Sequence, residues 1–289
     1  VILHIAGIHI IKGQFILSAL FTFVGGFSFY ILLREFKYSM RTAWFATILW
    51  FIAFAIMMYG RRVTGAQFVE HLLQDKSFAG FVIAPVVFAT VKLILDKSSI
   101  RNFILLFLVA GGLQFTHPML MGFVALTIGV WMLLTIIFKR QLRTPFLIII
   151  LIGIVLSPAL VIRATTDTSE TYNYGYFIPE NTGLRYWVNE DGTLYAIHPQ
   201  TVGDLTVVLL AIGGLFSLIQ IRRDDVGRFL LASVCVVGIG VIPQTAVIYG
   251  KLVSVTHMWR VLWIFPYGLM IYYIAETIIR LIIYGLNRN

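Results

Sequence analysis

Long runs of hydrocarbon side chains alternate with short polar breaks along most of the chain. The runs lie near residues 14–33, 43–59, 77–95, 103–115, 119–138, 145–163, 204–220, 227–246 and 259–279. A helix needs ~20 apolar residues to cross a bilayer, so the pattern predicts an all-α, polytopic transmembrane bundle of about nine spans in a single domain over residues 1–289. Residues 1–13 are apolar but too short to span alone, and they carry His4, His9 and Lys12. The run 103–115 is short. It meets the next at Thr116-His117-Pro118, which predicts a tight turn or a broken helix.

Two stretches depart from this rhythm. From Gly60 to Lys76, Gln67, Glu70, His71 and Gln74 recur at helical spacing, with Phe68, Val69, Leu72 and Leu73 on the opposite side. That predicts an amphipathic helix lying in the membrane interface. It is either a structural float or the wall of a polar cavity. The second stretch is a large loop, about 164–203. Tyr172, Tyr174 and Tyr176 alternate as in a strand, and Arg185–Val188 and Thr193–Ile197 flank an Asp191-Gly192 turn, which predicts a small β-hairpin. The loop's aromatic side chains either stack on sugar rings or pack the loop onto the membrane.

Composition agrees with the bilayer reading. The chain is 59% hydrophobic and 12% charged, against about 25% charged in soluble domains. Its net charge of +9 does not call for nucleic acid, because Lys and Arg accumulate in the cytoplasmic loops of membrane proteins. The short loops at 34–42, 96–102, 139–144, 221–228 and 280–289 are the basic ones, which places them in the cytoplasm of an inner-membrane protein. Lys92 sits near the inner end of its span, where it can snorkel. All six histidines and most acids then fall on the outer side, which becomes the working face. The single cysteine, Cys235, excludes an internal disulfide. There is no P-loop, no HExxH, no dinucleotide-binding glycine turn and no Gly-x-Ser-x-Gly elbow.

The chemistry concentrates at Thr256-His-Met-Trp-Arg260-Val-Leu-Trp-Ile-Phe-Pro266, where the last apolar run opens. A helix starting here would hold Arg260 in its first turn, where free N–H groups and the dipole favour an anion. The guanidinium adds a planar fork for phosphate. The ordinary alternative is that Trp259, Arg260 and Trp263 anchor the helix at the interface. His257, His117, His71, Arg61, Arg62 and Lys251 are further binding candidates. His117 is either a functional ionisable group at the membrane edge or a turn cap. Glu70 and Asp75 are the carboxylates nearest a membrane edge and the candidate general bases.

These features together resemble the GT-C superfamily of integral-membrane glycosyltransferases: many spans, a short amphipathic outer helix followed by Gln74-Asp75-Lys76-Ser77-Phe78, a span with Pro85, Thr116-His117-Pro118 at an outer edge, and Trp259-Arg260 through Pro266 opening the last helix. The resemblance implies a transferase that uses a polyprenyl-phosphate sugar donor at the outer face of the cytoplasmic membrane. Its acceptor would be a glycan, lipid or protein of the cell envelope, with a divalent metal ion as a candidate cofactor. It also implies a first span and a first outer loop before Val1. That loop would carry the usual general-base carboxylate, with His4 and His9 at its trailing edge.

Two other classes compete. A flippase or transporter of a lipid-linked or anionic substrate predicts polar residues deep in the spans, and few are seen. A non-catalytic membrane scaffold predicts that no single polar residue matters much.

Overall fold

A computed structural model describes residues 10–57, 68, 74–165, 186–189, 193–252 and 255–286. The predicted amphipathic helix at 60–76 therefore lies largely outside the described residues, as do His4, His9 and most of the loop 164–203. Helices α1 (Ile10–Glu35) and α2 (Met40–Ile56) form the first hairpin. Next come α3 (Asp75–Asp96), α4 (Ile100–Thr116), α5 (Pro118–Lys139) and α6 (Arg143–Thr165). A two-stranded sheet, β1 (Tyr186–Val188) and β2 (Tyr195–Ile197), leads into the short α7 (Pro199–Val202). The chain ends with α8 (Asp204–Gln220), α9 (Asp225–Val241), α10 (Pro243–Leu252), a 3-10 segment (Val255–Ile264) and α11 (Tyr267–Leu286).

The helices turn where polar side chains can close their free ends. Ser39, Ser99 and Asp224 accept backbone N–H groups at the starts of α2, α4 and α9. Lys37 and Arg140 take left-handed conformations (φ 66° and 55°) after α1 and α5, which ends each helix with a cation at the negative end of its dipole. Trp50, Phe54, Phe68 and Phe81 pack as a ring cluster between α2 and α3. Gly268 lets α11 lie directly on α2, since a Cβ there would come within 2.3 Å of the Ala46 carbonyl oxygen.

The bundle is a helical membrane fold, but the count of about nine spans is finer than the helices support. Among the described residues, four are long and apolar enough to cross a bilayer, or up to six if each of two bent pairs is one span. The apolar helices Met40–Ile56, Ile100–Thr116 and Asp204–Gln220 are shorter. Two expected straight runs are broken, both at proline. The run 227–246 bends by 98° after Val241, because Ile242 is extended in front of Pro243. The run 259–279 bends by 50° at Pro266. The predicted hairpin forms, with Tyr186 opposite Ile197 and Val188 opposite Tyr195. Its Asp191-Gly192 turn is outside the described residues.

One expectation about a lone cation changes. Lys92 does not snorkel to water. It is 3% exposed and bonds Asp96, with Asp225 at 3.6 Å. Lys37 joins Asp96 at 2.9 Å, and Lys139 and the fully buried Arg228 both join Asp225. This network ties α1, α3, α5 and α9 together at the end of the bundle that carries the basic loops.

Candidate functional site

At the opposite end, the segment around Arg260 differs from the expected helix start. It is a 3-10 helix of ten residues, longer than most, and Arg260 lies in its middle. Pro266 has no N–H to continue an α-helix and its ring collides with the carbonyl four residues back, which closes the segment ahead of α11. Arg260 thus does not sit among the free N–H groups of an α-helical first turn. The tighter winding has its own consequence. In a 3-10 helix every third side chain eclipses, so His257, Arg260 and Trp263 form one ridge, while Met258, Val261 and Ile264 form a buried apolar one. The Arg260 guanidinium carbon stands 5.7 Å from the Trp263 ring centre. Gly80, in a π-helical turn of α3, gives Trp263 room: a Cβ there would lie 3.1 Å from the Trp263 Cβ.

Arg260 is 9% exposed, and its Nη1 lies 2.9 Å from Nε2 of His117. His117 separates α4 from α5 and caps α5: its Nδ1 accepts the Leu120 N–H at 3.3 Å. The two contacts compete for one proton. A neutral ring whose Nδ1 accepts must carry its hydrogen on Nε2. That N–H would then face the N–H of Arg260, donor against donor. An oxyanion lying against both would convert the clash into two donated bonds. Burial and the Arg260 charge push the His117 ring down to about 4, while Asp75 acts to raise it and Lys76 to lower it. The ring is therefore neutral near pH 7.

Asp75 opens α3 on the exposed side of this cluster, and its Oδ1 accepts the Lys76 N–H at 2.7 Å. Three buried polar atoms without hydrogen-bond partners lie within a turn of the site residues: Ser77 Oγ near Asp75, Gln114 Oε1 near His117, and Trp263 Nε1 near Arg260.

The structure thus gathers Asp75, His117 and Arg260, with His257 on the same ridge. Glu70, His71, Arg61 and Arg62 lie outside the described residues. Lys251 falls on α10, where its side chain is not described. The stacking of Trp263 on Arg260 went unread in the sequence, although their spacing of three is its signal in a 3-10 frame. Among the described residues no three His, Cys, Asp or Glu side chains group as metal ligands. No family model, no curated protein and no solved structure matches the chain.

Proposed function

We propose that the protein is an integral-membrane glycosyltransferase that takes a sugar from a polyprenyl-phosphate donor, with the donor phosphate held between Arg260 and His117. The observation that carries this reading is the 2.9 Å approach of a buried guanidinium to a capping histidine, which sets donor against donor in the tautomer that the Nδ1 cap requires. An anion resolves it, and its place at one end of an apolar bundle is where a lipid presents its headgroup. Arg260 supplies the charge and the planar fork, and His117 donates from Nε2 while Nδ1 holds α5 in place. Trp263 braces the guanidinium from its ring face. Asp75, whose charge acts on His117, takes the acceptor's proton as the sugar is transferred in this reading. The working face is the outer one, as the basic loops at the other end imply.

Binding of polyprenyl phosphate and of the uncharged polyprenol to the protein in nanodiscs tests the core of this reading. We expect saturable binding of the phosphate and none above background for the alcohol. Equal retention of both would remove the anion site. Release of transferred sugar, lost in Asp75→Asn with binding intact, tests the chemistry.

The breaks at Pro243 and Pro266 favour one second reading. Discontinuous helices beside an anion site are also a carrier's device, and translocation of intact lipid phosphate without sugar transfer would favour it.

A further inference from the structure

At the basic end two turns are held side by side. Lys139, the last residue of α5, bonds Asp225, the first of α9, at 2.7 Å. The turn Arg140–Leu142 therefore lies against the turn Ile221–Asp224. Four exposed arginines stand on this pair of turns and the helix ends beside them: Arg140, Arg143, Arg222 and Arg223. The acids nearby are already engaged. Asp225 accepts from Lys139 and Arg228, and Asp224 caps α9 by accepting the Val226 N–H at 3.0 Å. None of the four guanidinium groups has an ion pair or hydrogen bond among the described residues. The ion pair of Lys139 with Asp225 bridges the two turns that carry them.

What flanks them decides the kind of partner. Leu142 (67% exposed) and Phe146 lie beside Arg143, and Leu218 and Ile219 precede Arg222 by less than two turns, all uncovered by the rest of the bundle. A nucleic acid offers phosphates but nothing for these side chains. A phospholipid offers both: an anionic headgroup at the level of the arginines and chains beside the apolar residues.

We propose that the paired turns Arg140–Arg143 and Arg222–Arg223 form a binding surface for anionic phospholipid headgroups in the leaflet at the basic end. Guanidinium forks grip phosphodiesters in two-point contacts, and clustered cations concentrate anionic lipid. The surface is independent of the site around Arg260, since it uses other helices' ends and the opposite end of the bundle.

The full chain, reconstituted in phosphatidylcholine nanodiscs with a minor share of phosphatidylglycerol, is extracted gently and its retained lipids are identified by native mass spectrometry. Phosphatidylglycerol should be enriched several-fold over its share. The enrichment should fall to that share in Arg140→Gln/Arg143→Gln/Arg222→Gln/Arg223→Gln, and partly in each of the two double variants, which guard against misfolding of the quadruple one. It should persist in Arg41→Gln/Lys97→Gln/Arg101→Gln, which removes charge from other turns of the same end. Soluble glycerol phosphate should not compete. Absence of enrichment, equal loss in the control variant, survival in the quadruple variant, or competition by glycerol phosphate would each overturn the proposal.

Discussion

The two ends of the bundle bury cations in opposite ways. At the basic end, Lys92 and Arg228 are as buried as any aliphatic side chain, and each has a carboxylate beside it. Arg228 also donates to the Ile221 carbonyl at 2.7 Å. At the other end, Arg260 is buried against a histidine that is itself a poor acceptor, because its Nδ1 already takes the Leu120 N–H. A cation neutralised within the fold stabilises the fold. A cation against a histidine makes a contact whose sense depends on the ring's tautomer, and that is the contact the proposed function uses.

The largest effect should come from breaking the basic end. Asp225→Asn removes the charge that Lys139 and Arg228 share and that Lys92 approaches, leaving the buried Arg228 without its carboxylate, while Lys92 keeps Asp96. Removing one partner of a buried pair costs about 3–5 kcal/mol, towards the low end here because Asp225 is partly exposed. Thermal unfolding in detergent reads the loss. Lys37→Gln, at the exposed rim of the same network, should leave the midpoint unchanged. If the two variants melt alike, the network is not what holds this end together.

If the proposed phosphate site is right, the Arg260 end should respond in the reverse sense. Arg260→Ala is expected to weaken polyprenyl phosphate binding by about 2–5 kcal/mol, with a smaller change in melting than Asp225→Asn. Arg260→Lys keeps the charge and loses the fork, so its affinity should fall between the two. Titration in nanodiscs measures both. Unchanged affinity in a well-folded Arg260→Ala protein would make Arg260 an interface anchor.

The bundle and the hairpin were legible because each rests on a local pattern: length of apolar run, alternation, an Asp-Gly turn. His117 and Arg260 stood out in the sequence because charge at a hydrocarbon edge is costly enough to need a reason, and the structure brings the two into contact. The basic-end network did not stand out. The cations of the basic breaks do not reveal it; Asp96 and Asp225, acids in otherwise basic breaks, are its signal. The 3-10 segment was missed for another reason. Pro266 is visible in the sequence, but the winding of the segment ahead of it depends on packing against α3 and α9. Hydropathy also counts residues without seeing bends, which is why the runs ending at 246 and starting at 259 read as straight spans.

A titration sharpens the comparison. The His117 ring holds its proton only below about 4, against 6.5 for an unhindered imidazole. Between those values the unfolded chain binds a proton that the folded chain does not, so stability falls as pH drops through that window. After allowance for solvent screening the loss should be on the order of 1–2 kcal/mol. His117→Asn keeps a side chain that can cap α5 and should flatten the profile between pH 6.5 and 4. A variant with the wild-type profile would assign the pH dependence to other groups.

The smallest effect tests how Arg260 is aimed. Trp263 faces the guanidinium because a 3-10 helix brings residues 260 and 263 into register, and Gly80 leaves room for the indole. Trp263→Phe keeps an aromatic face but weakens its quadrupole, so phosphate binding should drop by about 0.5–1 kcal/mol, roughly two- to fivefold. Stability should move the other way or not at all, since the change also deletes a buried indole N–H with no hydrogen-bond partner. Trp263→Leu removes the face entirely and should weaken binding further, at a packing cost that melting reports separately. Loss of stability in Trp263→Phe with unchanged binding would make the indole a core side chain. Trp263 would then have no part in aiming Arg260, and the ridge of His257, Arg260 and Trp263 would have no role in recognising the anion.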